Sequence, residues 1–262
     1  MAKSDEPVRG AMAASPNRSV ERACSIISSF SHDRPWQSLG EIATRVGLPK
    51  PTVYRLVSSL VGAGFMSQNS AGLYGLGVKM MEFGGIVRDN LDIVQQCTPV
   101  IEEISVATSE SVLLASVDWD AMEVMIVARR DSAHPLSVLS AEGRRQPLPP
   151  GALGKALVAG LEPAEAARHI KGHRFTSPTK RRVDRAKVLA DIDRARELGY
   201  AVEEEEFIDG VSGVAVPVVY DGGRPLAAVG VAGPSARLHG RLDEIGRELV
   251  KLTFGLRPAG QS

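Results

Sequence analysis

Cysteine is scarce in this sequence of 262 residues, and aromatic residues make up only 5% of it. The two cysteines, Cys24 and Cys97, lie far apart and outside any metal-ligand spacing, which argues against a disulfide framework and a cysteine zinc site. The formal net charge is zero, because Lys plus Arg and Asp plus Glu both number 31. The overall charge therefore does not indicate a polyanionic partner. We expect a protein of a reducing compartment that holds no metal and no cofactor.

Long apolar runs are absent as well. No stretch approaches the roughly 18 apolar residues that a membrane-spanning helix needs, and the N-terminal segment lacks the apolar core of a signal peptide. Hydrophobic residues nevertheless make up 44% of the chain, enough for the packed cores of one or two domains. We therefore expect a cytoplasmic protein without membrane contact, with a flexible tail over residues 1–15.

The common enzyme signatures are missing too. The segment GALGKAL has Ala156 after its lysine, where a phosphate-binding loop needs Ser or Thr. The segment GVSGV has Val214 where a nucleophile elbow needs its second glycine. The five histidines are scattered and form no metal-ligand or catalytic-triad spacing. We expect no catalytic residue, and we keep an enzyme acting on a small acid as the alternative.

The N-terminal part has a slight basic excess, with eight basic and five acidic side chains in residues 1–75. It begins with a helical pattern, SVERACSIISSF, in which we expect Val20, Cys24, Ile27 and Phe30 to form the apolar stripe, with Ala23 and Ile26 flanking it. The next segment, SLGEIATRVG, predicts a short helix with both ends marked. Its start has the Ser-x-x-Glu capping box, and its end has a glycine suited to the left-handed C-terminal cap.

A third helix is predicted from the segment PTVYRLVSSLVG. Pro51 suits the first helical position, and we expect it to hold Lys50 in an extended conformation. The valines and leucines of this segment make one apolar stripe, which leaves a polar face on the other side. The following segment, FMSQNSAGLYGLG, predicts a small hairpin around an Asn-Ser-Ala-Gly turn.

This order of elements is that of a winged helix-turn-helix, whose second motif helix enters the major groove of duplex DNA. Hydroxyl and basic side chains on that helix are donors for phosphate oxygens and base edges. The residues that we predict to contact DNA lie on or next to this helix and at the start of the preceding one: Ser38, Lys50, Thr52, Val53, Tyr54, Arg55, Ser58 and Ser59.

Four further segments are informative when they are taken together: GLGVKMMEFGGIV, PVIEEISVATSESVLLASV, LPPGALGKALVAG, and the stretch from ELGYAVEEEEF to GVAGPSARL. With the winged helix-turn-helix, they make the chain resemble the isocitrate-lyase-regulator (IclR) family of bacterial transcription regulators from about Asn17 to Phe254. The resemblance implies a DNA-binding domain, a dimerising linker helix and a GAF-like α/β effector-binding domain. We expect these at residues 16–78, 79–95 and 96–258. Pro51 departs from the Ser or Thr that the family often has there, which removes a phosphate donor.

The linker segment is mostly apolar from Met80 to Val94. An exposed helix of this kind favours association of two chains about a two-fold axis, which would place two recognition helices about 34 Å apart on a palindromic operator. Packing of the segment against its own domain is the alternative. The sequence leaves a homodimer and a homotetramer open.

The second domain shows short apolar runs separated by turns: SVLLASV, EVMIVAR, LSVLS, GVAVPVVY and LAAVGVAG. They alternate with helical segments such as KVLADIDRARELG, which indicates an α+β or α/β sheet domain. The closing stretch, GRLDEIGRELVKLTFGL, has an apolar helical stripe and should pack across the sheet.

A glycine-started helix in PGALGKALVAG presents backbone N–H groups that suit a carboxylate. The resemblance places the effector pocket beside this helix start, at Gly151, Ala152, Leu153, Glu203, Gly213, Gly230 and Ala232. Family members often have Cys or Ser where this chain has Gly213, Gly230 and Ala232, so we expect a wider and more apolar pocket for a bulkier or aromatic carboxylic acid. Glu203 would favour an effector that also has a hydroxyl or amine donor.

These inferences predict a DNA-binding transcription regulator, with repression as the expected outcome, whose operator affinity changes when a small organic acid binds. Besides the enzyme alternative, an architectural DNA-binding role without a metabolite remains open. Activation is the alternative to repression.

Overall fold

The structure is a computed structural model that describes residues 17–137, 141–173, 175–176, 183–206, 208–220 and 223–256. The chain divides into two compact units, which meet between Gly85 and Ile86. This division falls within residues 79–95, the range expected for the linker.

The first unit contains three helices and a hairpin in the predicted order. The helices are α1 (Arg18–Ile27), α2 (Leu39–Val46) and α3 (Lys50–Gly62), and the antiparallel strands are β1 (Met66–Gln68) and β2 (Tyr74–Leu76). Ile26, Ile42, Val53, Val57 and Met66 form the buried core, which joins all three helices to the hairpin. The winged helix-turn-helix is therefore confirmed.

The apolar stripe predicted for α1 is wrong at Val20 and Cys24. Ile26 is the completely buried residue of this helix, whereas Val20 and Cys24 are exposed. Each helical residue turns the direction of the side chain by about 100°, so Cys24, two positions before Ile26, points to nearly the opposite side. The packed face passes through Ile26 and Phe30 instead.

The caps of α2 are confirmed, and the start of α3 is shifted by one residue. The Ser38 hydroxyl accepts a hydrogen bond from the Glu41 N–H at 3.3 Å, and the Glu41 carboxylate accepts one from the Ser38 N–H at 2.7 Å. The expectation that Lys50 is extended is wrong, because Pro49 is the extended N-cap and Lys50 opens the helix. A proline is compatible with either place, since first-turn N–H groups have no acceptor within the helix.

The linker is two helices rather than one. Helix α4 covers Lys79–Asp89 and helix α5 covers Asp92–Thr108. At the break, the side-chain amide of Asn90 donates to the Ile86 carbonyl and that of Gln95 donates to the Asp89 carbonyl, each at 2.8 Å. These bonds satisfy carbonyls that the end of α4 leaves without a helical partner.

The two linker helices differ in how they use their apolar residues. Leu91, Ile93 and Val94 pack against the core of the second unit. Met81 and Ile86 on α4 remain exposed. The expected apolar stretch thus packs partly against its own domain and is partly uncovered.

The second unit contains a six-stranded sheet in the order β5-β4-β3-β8-β7-β6, in which every neighbouring pair is antiparallel. Its strands are β3 (Ser111–Asp118), β4 (Glu123–Arg130), β5 (Arg145–Pro147), β6 (Ala201–Glu204), β7 (Val211–Val218) and β8 (Ala227–Pro234). Its helices after α5 are α6 (Ala152–Ala159), α7 (Pro163–Ile170), α8 (Arg185–Leu198), α9 (Ser235–Leu238) and α10 (Leu242–Thr253). The antiparallel pairing decides for α+β, as predicted.

Both faces of the sheet are covered. Helices α5 and α10 pack on one face, where α10 buries Leu242, Ile245 and Leu249 as its sequence predicts. Helices α6, α7 and α8 contribute to the core on the other face. Strand β3 has five consecutive buried residues because alternate side chains enter the two cores.

Two strand expectations in the second unit differ from the structure. Of the predicted strand LSVLS, residues 138–140 lie outside the described residues, and Leu136 and Ser137 are not in a strand. Strand β5 was missed, because a three-residue strand containing Arg145 and Gln146 gives no apolar alternation.

Candidate nucleic-acid face and candidate effector cavity

Helix α3 has one buried side and one exposed polar side. Val53 and Val57 are completely buried. Opposite them, Lys50, Arg55, Ser58 and Ser59 are exposed, Thr52 is half-buried, and Tyr54 has 56% of its surface exposed. We call these six residues the α3 polar face. It combines basic, hydroxyl and aromatic groups, all of which can contact phosphates or bases.

The structure corrects the prediction that Val53 contacts DNA. Its side chain is completely buried in the core of the first unit. The same helical periodicity that exposes Tyr54 and Arg55 turns Val53 inward. Val53 thus stabilises the position of the helix and offers no surface to a ligand.

Ser38 has a role that is visible in the structure. Its hydroxyl belongs to the capping box of α2, and it also donates to the Glu41 carboxylate at 2.7 Å. This side-chain hydrogen bond, followed by that of the Ser38 backbone, lowers the pKa of Glu41. Ser38 also lines a surface depression together with Thr44, Arg45 and Lys50. Sequence reasoning missed Arg45, whose Nε donates to the Gln37 side chain at 3.2 Å.

The second candidate site is a cavity of about 110 Å³ in the second unit. It lies where α6 begins, over strands β7 and β8 and beside β6. All seven predicted effector residues line it: Gly151, Ala152, Leu153, Glu203, Gly213, Gly230 and Ala232. The structure therefore brings together residues that are up to 81 positions apart in the sequence, from Gly151 to Ala232.

The start of α6 gives this cavity a positive electrostatic end. Gly151 is the N-cap with φ 84°, a conformation that favours glycine, and no side chain caps the helix. The N–H groups of Ala152 and Leu153 have no acceptor within the helix, and the helix dipole adds partial positive charge there. Such a helix start suits an anionic group.

Several lining residues were not predicted from the sequence. They come from β3, β4, β7, β8, α6 and the segments around β5 and before β7: Leu113, Val124, Arg144, Gln146, Pro150, Gly154, Ile208, Val211, Ser212, Val214 and Val231. Most are apolar. Arg144 and Gln146 stand in a polar stretch without periodicity, so no local pattern indicates that they reach a cavity.

The four consecutive glutamates at positions 203–206 lie in different environments. Glu203 lines the cavity and is only 5% exposed, as a strand residue on the same side as buried Ala201. Glu205 does not continue this strand face, because β6 ends at Glu204 and Glu205 has a positive φ of 55°. The carboxylate of Glu206 forms an ion pair with a buried lysine.

That lysine is Lys155 on α6, whose side chain is completely buried. Its Nζ lies 2.8 Å from the Asp191 carboxylate on α8 and 2.8 Å from the Glu206 carboxylate. Lys187 approaches the same two carboxylates, at 3.2 Å and 3.5 Å. This cluster joins α6 to α8 and to the segment after β6, immediately behind the cavity.

Two of the cavity glycines, Gly213 and Gly230, lie in closely packed surroundings. A Cβ at Gly230 would lie 2.9 Å from the Ala215 Cβ and 3.1 Å from a Leu153 methyl group. A Cβ at Gly213 would lie 3.0 Å from the Val231 carbonyl oxygen. Both positions are already in close contact with their neighbours, so glycine there permits tight packing of α6 and the strands.

Within the ranges that the structure describes, no group of three or more His, Cys, Asp or Glu side chains could hold a metal ion. In the same ranges, no helix has the length and the apolar character to cross a bilayer.

The first unit defines a class of protein, the helix-turn-helix transcription regulators, and the comparisons with known proteins define the family. Residues 19–70 match the IclR helix-turn-helix domain, and residues 86–253 match the domain described as bacterial transcriptional regulator IclR C-terminal. The chain belongs to the IclR family of transcriptional regulators. Its relatives are regulators and not enzymes, so the enzyme alternative has no support.

Individual relatives agree with this assignment. The chain is 31% identical to the HTH-type transcriptional regulator KipR of Bacillus subtilis over 222 residues, which cover 84% of this chain and 88% of KipR. It is 29% identical to the HTH-type transcriptional repressor AllR of Escherichia coli, covering 84% of this chain and 82% of AllR. An IclR homologue from Microbacterium hydrocarbonoxydans, crystallised with 4-hydroxybenzoate, shares the fold with a TM-score of 0.74 at 22% identity, covering 91% and 97% of the two chains.

Proposed function

We propose that this regulator binds a palindromic operator through the α3 polar face and that a small organic acid in the α6 cavity modulates this binding. The observation that carries the proposal is the cavity, which combines an uncapped helix start with apolar walls and stands in the same chain as an exposed DNA-reading helix. The protein acts in the cytoplasm, where it has access to DNA.

The proposed DNA contacts follow from exposure and chemistry. Arg55 and Lys50 supply positive charge, and the hydroxyls of Thr52, Ser58 and Tyr54 supply donors and acceptors. No acidic residue occurs in the first turn of α3, so the helix itself places no negative charge at its start. We assign the α3 polar face to the major groove, with Ser38 beside it at the start of α2.

The size of the cavity limits the effector. A cavity of about 110 Å³ is well above what a single water needs, which puts the effector in the size range of small organic acids. A single aromatic ring with a carboxylate and one further substituent falls in this range. The 4-hydroxybenzoate held by the Microbacterium homologue is a compound of this kind, which supports the choice of aromatic acids as first candidates.

A palindromic operator requires two copies of the recognition helix. Large apolar side chains of α4 are exposed, and association with a second chain would remove them from water. We propose a homodimer as the smallest DNA-binding unit, which is compatible with a homotetramer built from two such dimers. Repression is the expected outcome, as the name of the relative AllR states for that protein.

The effector acts in this proposal by differential affinity. An acid that prefers one conformation of the second unit shifts the population of DNA-binding states, and each tenfold preference changes operator affinity by at most about 1.4 kcal/mol per coupled site. No bond needs to be made or broken.

The test is a thermal-shift screen of organic acids on the full chain, followed by measurement of operator affinity with each hit. We expect at least one aromatic or similarly bulky monocarboxylic acid to raise the melting temperature and to change operator affinity. Hits confined to two- or three-carbon oxo-acids would contradict the assigned effector class. DNA binding without any ligand-dependent melting shift would instead favour the architectural role.

A further inference from the structure

We propose that Arg144 pairs with the acid group of the effector and thereby selects a monocarboxylate whose other end is uncharged. This inference rests on the proposed function, because it concerns the effector in the same cavity. It assigns to one side chain a selectivity that the helix start alone does not provide.

The cavity wall contains two charged side chains, and Arg144 is the one that can attract an acid. Among the described lining residues, Arg144 is the only basic side chain and Glu203 is the only acidic one. Arg144 is half-buried, and its guanidinium has no hydrogen bond or ion pair with any residue that the structure describes. A partly desolvated guanidinium gains most from an anion that it can bind with two parallel hydrogen bonds, and a carboxylate has this geometry.

Two cations near Arg144 in the chain or the fold, Arg145 and Lys155, already have acidic partners. Arg145, the next residue, pairs with Asp118 and Glu123 at 3.3 Å each. Lys155 is held by its two carboxylates behind the cavity. Arg144 therefore differs from these neighbours in facing the cavity without an acidic partner among the described residues.

The positions of Arg144 and Glu203 in the sheet determine the orientation of the bound acid. Arg144 directly precedes β5, and Glu203 lies on β6, so the two residues belong to opposite edges of the sheet. A carboxylate is attracted to Arg144 and repelled by a carboxylate at Glu203. The acid group therefore points toward the β5 edge, and an uncharged group, such as a hydroxyl, points toward Glu203.

The experiment uses isothermal titration of the full chain with matched probes: benzoate, 4-hydroxybenzoate, 3-hydroxybenzoate, 4-hydroxybenzamide and terephthalate. Terephthalate replaces the uncharged end with a second carboxylate, and the amide removes the charge of the first. We expect the wild type to bind at least one of the hydroxybenzoates, and to bind 4-hydroxybenzamide and terephthalate at least tenfold more weakly than that acid.

The variants Arg144→Gln and Arg144→Lys test the residue, and Arg145→Gln is the matched control, because it removes the same charge one position away. We expect Arg144→Gln to weaken hydroxybenzoate binding about 10- to 100-fold and to abolish the preference for the acid over the amide. Arg144→Lys should retain the preference in part. Arg145→Gln should bind like the wild type.

The outcomes separate this inference from the proposed function. If the wild type binds an acid and Arg144→Gln binds it equally well, the role of Arg144 is wrong and the effector site stands. Equal binding of the amide and the acid by the wild type would also overturn the inference. If the wild type binds none of the probes, the aromatic-acid effector itself is wrong, and this inference falls with it.

Discussion

Arg55 and Lys155 place positive charge in opposite environments. Arg55 is exposed on the α3 polar face and has no side-chain partner among the described residues. Lys155 is completely buried and lies 2.8 Å from each of two carboxylates. An exposed cation is available to a ligand, whereas a buried and paired one mainly determines how its neighbours are held.

For Arg55 we expect an effect on DNA binding alone. The Arg55→Ala variant should weaken operator binding and, if the guanidinium contacts a phosphate, lower the slope of log affinity against log salt by about one. Fluorescence anisotropy at several salt concentrations measures both quantities. The control is Arg130→Ala, which removes an exposed arginine from the second unit. Unchanged affinity and slope would remove Arg55 from the interface.

For Lys155 we expect a large effect on stability. The Lys155→Met variant would leave the Asp191 and Glu206 carboxylates near each other without their buried cation, which costs about 3–5 kcal/mol in such pairs. The measurement is urea unfolding of the second unit within the full chain. Lys187→Met removes the exposed member of the same cluster and should cost much less. Similar losses in both variants would contradict the special role of Lys155.

The cluster also predicts a dependence of stability on pH. Burial alone would raise the pKa of Asp191, but its hydrogen bond and ion pair with Lys155, followed by those with Lys187, outweigh this effect and lower the pKa. The unfolded chain then binds more protons at Asp191 than the folded one, so this stabilisation is complete above about pH 4 and is lost as pH falls through the folded pKa.

Unfolding in urea between pH 6 and pH 3 measures this loss. The wild type should lose more free energy of unfolding over this range than Asp191→Asn does. Asp193→Asn, on the exposed side of the same helix, is the control and should follow the wild type. A wild-type curve that falls no more steeply than that of Asp191→Asn would contradict the prediction.

At the scale of elements, the cavity depends on how closely α6 approaches the sheet. Gly230 on β8 leaves no room for a Cβ between Ala215 and Leu153. Closely packed interiors respond to one added methyl group with strain, because neither an alanine side chain nor backbone can move aside cheaply. The cavity is therefore shaped by the contact between a helix and two strands.

The Gly230→Ala variant tests this contact. We expect a loss of about 1–3 kcal/mol in the free energy of unfolding of the second unit, measured by urea denaturation. The control is Gly62→Ala at the end of α3, where a Cβ meets nothing within 4 Å and the effect should be small. If Gly230→Ala leaves the free energy of unfolding unchanged, α6 can shift away from the sheet.

At the scale of the whole molecule, exposed apolar surface points to association. On α4, Met81 has 76% of its surface exposed, and Ile86 and Val87 are also exposed. Val106 on α5 is 83% exposed but stands alone. A group of apolar side chains on one helix is typical of an interface, whereas a single one is common on any surface.

The double variant Met81→Glu with Ile86→Glu should therefore dissociate the oligomer. Analytical ultracentrifugation should show a monomer at concentrations where the wild type is a dimer or larger, and affinity for a palindromic operator should fall more than affinity for a single half-site. Val106→Glu is the control and should keep the wild-type mass. A double variant with unchanged mass would place the interface elsewhere.

The sequence predicted the elements of the first unit well, because the signals there are local. Ser38, Glu41 and Gly47 mark the ends of α2, and the spacing of Val53 and Val57 separates the two sides of α3. The stripe of α1 and the break after α4 were not predicted. Apolar residues occur on more than one side of both helices, so only their packing partners select the buried face.

The sequence by itself determined the order of elements, the caps and, with the family resemblance, seven residues around the cavity. The tertiary structure decided the rest of the site, since Arg144, Lys155 and Glu206 acquire their surroundings only when the sheet and α6 come together. Periodicity and capping act between residues a few positions apart. The cavity is formed across the strand order of an antiparallel sheet, where residues distant in the chain become neighbours through pairing and packing.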